Sequence, residues 1–253
     1  MRRLSPSACG RVFALALGLP AAAHGDATDR ISRTVPLEAG RPIRIEATIS
    51  ELTIVGSDRS DLQVDVVRRA PVTADLAKYP VVVDATAGAV RIAAIQADDG
   101  RDPSLKSDIT VAAPVNSVFE AIRVFEGRVR LTNLKGACDV DLRRGAIEAA
   151  GLAGRVRLET GIGSLEVRQA ELTPGGMMRL RVFNGPLRVR FARPPSSGRI
   201  LAVTFNGTIT SDIPLNMKDK FGPRFGETTI GDGDPVMSVD VVKGDITIGV
   251  GAK

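Results

Sequence analysis

Apolar and polar positions alternate with period two along most of the chain, in short runs that restart after a glycine. From Gly127 the sequence reads GRVRLTNLK, GACDVDLRR, GAIEAAGLA, GRVRLETGI, GSLEVRQAE, so glycine recurs at 127, 136, 145, 154 and 163. The second and fourth positions after each glycine are apolar or small: Val129/Leu131, Cys138/Val140, Ile147/Ala149, Val156/Leu158 and Leu165/Val167. The same unit opens at Gly88 (Val90/Ile92), Gly185 (Leu187/Val189) and Gly244 (Ile246/Ile248); Gly207 is followed by Ile209 but Ser211, and Ser50 takes the glycine's place ahead of Leu52/Ile54. Period-two alternation sends the second and fourth residues to one face of a short strand and the first and third to the other. So short a strand cannot bury its apolar face alone, whereas stacked copies make a continuous core. Glycine suits a corner with positive φ or close backbone approach. Phe125, Phe183 and Phe205 each stand two residues before such a corner. The pattern predicts an all-β fold, a single-chain parallel β-solenoid (β-helix) of short Gly-started strands.

One turn of such a stack could hold two units (18 residues) or three (27). Stacked strands hold equivalent residues about 4.8 Å apart, where like charges repel. Two units per turn set Arg130 on Glu148 and Asp139 on Arg157, at the expense of Glu148 on Glu166. Three set Arg130 on Arg157 and Asp139 on Glu166, with no gain. Two units are expected.

The flanks are less regular. Pro36 to Glu46 reads as a strand entering the stack, and Leu62–Val67 and Val81–Val83 as further strands. Asp98–Pro103 and Asn216–Thr228 read as loops, and Ala74–Tyr79 as at most one helical turn. The expected organisation is residues 1–25 an export signal, 26–36 a linker and 37–253 the β-solenoid.

The signal reading rests on a basic start (Arg2, Arg3, Arg11), a short apolar run Val12–Leu19 broken by Pro20, and small residues at Ala21–Ala23 and Gly25. The run is too short to span a bilayer, which takes about 20 apolar residues. It changes the charge picture. Of 34 basic side chains the segment holds three, leaving 31 against 29 acidic, a net +2 where the whole chain has +5. The support for a nucleic-acid partner goes with it. The single His, His24, lies at the cleavage region, which removes His-based triads and His metal sites. Cys9 precedes the apolar run; Cys138 occupies an inward repeat position and is expected to be a small buried apolar residue.

Four stretches resemble one known family: Ile43–Glu46 with Glu51–Asp58 and Leu62–Val66; Asp108–Pro114; Phe205–Pro214; and Ile230–Gly233 with Val242–Ile248. In this order they resemble the bacterial "putative adhesin" family of the domain-of-unknown-function type, related to auto-transporter adhesin head domains, over most of Val35 to Gly249. The resemblance implies a β-solenoid outside the cytoplasm and carries no catalytic residues.

Few residues remain for chemistry. Asp232-Gly-Asp234 could suggest a calcium loop, but such loops repeat and this one occurs once, so a turn is expected. Asp139, Asp141, Glu148, Glu159 and Glu166 occupy outward positions, where a carbohydrate-active β-helix would cluster carboxylates; pairing with arginine is the simpler expectation. Arg128, Arg130, Arg155 and Arg157 hold the first and third positions of two units and are the candidate ligand-binding residues, a basic strip if they share a face. No P-loop, CxxC or nucleophile-elbow motif occurs, and no catalytic residue, metal or cofactor is expected. The function expected is a non-enzymatic, exported binding, adhesin-like or scaffold surface. The partner would be an acidic glycan, a lipid headgroup or an envelope protein. A carbohydrate-active enzyme and a regulatory partner of a membrane protein are the alternatives.

Overall fold

The structure, a computed structural model, describes residues 26–86, 88–96, 104–218 and 222–251. The export signal expected over 1–25 and the loop expected at Asp98–Pro103 lie outside the described residues. In chain order the elements are β1 (Ala27–Pro36), β2 (Pro42–Ser57), β3 (Asp61–Ala70), α1 (Thr73–Lys78), β4 (Val82–Thr86), β5 (Ala89–Ala94), β6 (Lys106–Pro114), β7 (Val118–Leu134), β8 (Cys138–Leu152) and β9 (Arg155–Ala170). There follow β10 (Met177–Asn184), β11 (Leu187–Phe191), β12 (Gly198–Asn206), β13 (Ile209–Ser211), β14 (Asn216–Lys218), β15 (Arg224–Ile230), β16 (Val236–Lys243) and β17 (Ile246–Val250). The described residues are all-β apart from one short helix.

Strands β2, β7, β8 and β9 each run through two legs joined at a corner, and pair in parallel with one another. Gly127 faces Gly145, and Gly145 faces Gly163. Successive turns are therefore offset by two nine-residue units, as the charge pattern favours. First-leg residues Phe119, Ile122, Val140, Leu142 and Leu158 and second-leg residues Val129, Leu131, Ile147, Leu165 and Val167 are fully buried in one core cluster. Cys138 is buried among them. The repeat's alternation thus sets one wall of the core on each leg.

The corner is closed by backbone contact. A Cβ placed on Gly145 would lie 1.8 Å from the Gly127 carbonyl oxygen, and one on Gly163 1.7 Å from that of Gly145. Gly145 also has φ of +133°, a conformation reserved for glycine. Side-chain-free backbone is what lets adjacent turns keep the parallel hydrogen-bond spacing through the bend.

An all-parallel solenoid is not what forms: the sheet is mixed. At one end β4 pairs antiparallel with β5, β3 with β6, and β1 with β3. At the other, β15 pairs antiparallel with β12 and β14 with β15. A parallel stack leaves unpaired strand edges at both ends, and antiparallel strands pair with them. Two local readings change accordingly. Residues 27–36, expected as a linker, are β1; its side chains are mostly solvent-facing, so it carries little apolar signal. The span 216–228, expected as a loop, supplies β14 and β15. Arg68 anchors the first cap: its buried guanidinium pairs with Asp29 of β1 and donates to the carbonyls of Leu76 (3.1 Å) and Tyr79 around α1.

Chain order and spatial order differ near the carboxyl end. β16 lies between β10 and β12, and β17 between β11 and β13. The last strands of the chain fill an interior turn.

Replacing Gly145 by Ala is expected to destabilise the protein by about 3 kcal/mol or more, since a strained φ and a backbone collision coincide. Gly40→Ala, at φ +76° with nothing within 4 Å of its Cβ, is expected to cost about 1 kcal/mol. Urea denaturation midpoints give both values; equal losses would show that the corner contact does not constrain the stack.

Candidate functional site

The first and second legs present separate outer faces. Arg128 and Arg130 lie on the second-leg face, after Gly127, whereas Arg155 and Arg157 lie on the first-leg face, after Gly154. The structure brings the arginines together in pairs and not as one four-residue strip, because units Gly127 and Gly154 occupy different legs of their turns.

The second-leg face is a ladder of ion pairs. Arg130 lies between Glu51 of β2 (3.2 Å) and Glu148 of β8 (3.4 Å), and Arg128 reaches Glu148 at 3.3 Å. Glu148 faces Glu166 of β9 in register, the unfavourable pairing expected from 18-residue turns. Arg168 relieves it, with Nε and Nη2 donating to the two Glu166 oxygens at 2.8 and 3.0 Å. This hydrogen-bonded guanidinium, aided by Arg188 and Arg190, holds the Glu166 carboxyl below its usual range. A group so held is a poor general acid, which must keep its proton near neutral pH.

On the first-leg face Arg157 bridges Asp139 (3.1 Å) and Glu159 (3.0 Å), and Arg123 also reaches Asp139 (2.8 Å). Hydrogen bonding to Asp139 raises the Arg157 pKa further above its ordinary value. Asp139, Asp141 and Glu159 do share a face, the arrangement that a carbohydrate-active site would need. Two of the three are committed to Arg157. Asp141 borders a shallow depression of about 460 Å³ lined also by Glu46, Ile95, Arg123, Phe125 and Arg143. Arg155 is exposed and makes no ion pair among the described residues.

Beyond β9 the first-leg face changes character. Arg179, Arg181 and Phe183 point outward from β10, and Leu201, Val203 and Phe205 from β12. Phe183 and Phe205 are 61% and 60% exposed. Reading the Phe-x-Gly pairs as corners did not mark them as surface. The usable signal was their place in the alternation, on the outward parity with Arg179 and Arg181.

The remaining sequence candidates resolve as structure. The Asp232 carboxylate accepts from the Ser197 hydroxyl and the Asp234 N–H, and Asp234 accepts from the Gly175 N–H (2.9 Å). The Ser197 bond holds the Asp232 carboxyl below its usual range. The loop is a tied turn, and no group of three or more metal-ligating side chains occurs among the described residues. Burial, with Asp139 adding to it, pushes the Cys138 thiol up to about 12. No helix among the described residues is long and apolar enough to cross a membrane.

Neither a protein-family model nor a curated protein matches the chain. Among solved structures, a "putative cell adhesion protein" from Clostridium sporogenes is similar with a TM-score of 0.54 at 10% identity, over 88% of this chain and 100% of that one. That likeness is one of fold. Weaker ones, each with a TM-score of 0.33, are to a "putative adhesin" from Bacteroides fragilis (15% identity, 88% of this chain and 97% of that one) and a "putative lipid binding protein" from Parabacteroides distasonis (10%, 89% and 97%).

Two outcomes are expected. Cys138 should resist a thiol reagent at pH 8 in the folded protein and react once unfolded in urea, because thiolate is the reactive form; rapid labelling of the native protein would contradict its burial. Arg168→Ala should move the Glu166 titration, followed by carboxyl NMR, upward towards 4.5. The wild type has this stabilisation above the unfolded value near 4.5 and loses it as pH falls through the lower native value. An unmoved titration would place the cause elsewhere.

Proposed function

We propose that the chain is an exported, non-enzymatic β-solenoid with antiparallel caps that serves as an adhesin-like binding or scaffold surface in the bacterial envelope. The observation that carries this reading is the commitment of the outward charges. Along β7, β8 and β9 the carboxylates of Asp139, Glu148, Glu159 and Glu166 are engaged by arginines of the same or a neighbouring strand, which supports a charge-paired surface over a catalytic one. A stack of this kind holds side chains at fixed intervals, which suits an extended or repeating ligand. The fold likeness to the Clostridium sporogenes cell adhesion protein is consistent with this assignment. Of the four arginines expected to meet a ligand, Arg155 is the one without an ion pair among the described residues; Arg128, Arg130 and Arg157 would first have to leave their carboxylates.

Glycan and lipid arrays probed with the purified protein, and polysaccharides incubated with it, test the reading. Saturable binding without cleavage is the expected outcome. Depolymerisation that is lost in an Asp139→Asn/Asp141→Asn/Glu159→Gln variant would replace it with the carbohydrate-active alternative. A charge-reversal variant at Arg128, Arg130, Arg155 and Arg157 is expected to lose part of the binding; an unchanged profile would remove these residues from the ligand site.

A further inference from the structure

Three adjacent strands of the first-leg face are more apolar than the ion-paired strands beside them, although Arg199 at the start of β12 pairs with Glu227. Their outward residues form a grid: Arg179, Arg181 and Phe183 on β10; Ser238, Asp240 and Val242 on β16; Leu201, Val203 and Phe205 on β12. The register sets Arg179, Ser238 and Leu201 in one row and Arg181, Asp240 and Val203 in the next. The third row is Phe183, Val242 and Phe205. The two phenylalanines, more than half exposed, stand about 9.6 Å apart, two strand spacings, with Val242 between them. Ile162, half exposed, extends the ridge along the corner, facing Asn184 in register. This is a contiguous apolar patch beside the ion pairs of Asp139, Arg157 and Glu159, and such patches mark interaction sites.

Its border is mixed, with Glu159 of β9 facing Arg181 and Glu227 of β15 facing Leu201 in register, but three of its cations are unpaired among the described residues. Arg179, Arg181 and Lys243 are exposed and make no ion pair among the described residues. Asp240 is the single carboxylate of the grid, and it accepts the Ser238 hydroxyl at 2.9 Å. Arg157, one strand away, is held between two carboxylates; Arg179, beside it in register, has no such partner.

From this juxtaposition we infer that the outer face of β10, β16 and β12 docks on an anionic lipid surface. Phe183 and Phe205 enter the boundary between headgroups and acyl chains, while Arg179, Arg181 and Lys243 meet lipid phosphates. The inference rests on the binding-surface reading and names its partner. The patch favours lipid over a glycan, because Leu201, Val203, Val242 and both phenylalanines, five of the nine grid residues, offer sugar hydroxyls no hydrogen-bonding group.

Vesicle co-sedimentation tests it, with phosphatidylglycerol/phosphatidylethanolamine vesicles against phosphatidylcholine vesicles. The wild type is expected to bind the anionic vesicles at least about tenfold more tightly, weakening as salt rises. Phe183→Ser/Phe205→Ser is expected to lower that affinity about tenfold, and Arg179→Glu/Arg181→Glu to abolish the anionic preference. Unchanged thermal melting shows that both variants fold. The chain has no Trp, so a Phe183→Trp variant supplies a clean probe; its emission is expected to shift to the blue on anionic vesicles alone. Equal binding to both vesicle types, wild-type binding by either double variant, or an unshifted emission would overturn the inference. Two further results would overturn it while leaving the binding-surface reading intact: glycan binding without vesicle binding, lost in the phenylalanine variant, and a concentration-dependent dimer that the same variant dissolves. Polysaccharide cleavage would end both readings.

Discussion

One backbone contact governs the rest of the structure. At the corner between legs, the carbonyl oxygen of one turn lies where the next turn's Cβ would be. The column runs from Ser50 through Gly127, Gly145, Gly163, Gly185 and Gly244 to Gly207, and at every step after Ser50 a Cβ would sit between 1.7 and 2.1 Å from that oxygen. No side chain fits at such a distance. Glycine at this position therefore does more than permit a bend: it is the condition for keeping parallel hydrogen bonds on both sides of the bend. A slip of one residue would put a Cβ against a carbonyl and send the inward side chains to solvent. Register is over-determined at this one column.

The charges follow from that register. Exposed ion pairs such as Arg130–Glu148 and Arg157–Asp139 contribute about 0–1 kcal/mol each, while a strained corner costs several times as much. The glycine column, then, fixes which outward residues meet, and the ion pairs make the result tolerable. The Glu148–Glu166 contact shows the order of priority. Two carboxylates face each other because the register requires it, and Arg168 on the same strand supplies the compensation.

What was legible in the sequence was what local alternation controls. The two-unit turn, the inward pairs from Val129/Leu131 to Leu165/Val167, the role of Ser50 and the burial of Cys138 all follow from spacing. Strand direction does not. The outward and inward patterns of β3 or β15 are the same whether the neighbour runs parallel or antiparallel, so the mixed caps left no local trace. β1 escaped because its inward parity, Ala27, Asp29, Ile31, Arg33 and Val35, mixes charged with apolar residues and shows no apolar alternation. The arginine strip failed for a reason already contained in the spacing. With two units per turn, Gly127 and Gly154 are three units apart and must lie on different legs, so their arginines could never have shared a face.

The surface with the most unusual chemistry is also the one that chain order conceals. Winding in sequence would set β12 directly on β10, with Val203 beside Arg181 and Phe205 beside Phe183. Two neighbouring phenylalanines at strand spacing would cover much of each other's surface. Insertion of β16 separates them by Val242 and sets Asp240 beside Arg181, so both aromatic rings stay exposed and the row becomes a ridge two strands wide. The same insertion carries Gly244 into the corner column between Gly185 and Gly207. The final strands thus complete the core, the corner and the apolar ridge together. A chain lacking them would lose its surface and its packing at once, which ties the presentation of that face to completion of the fold.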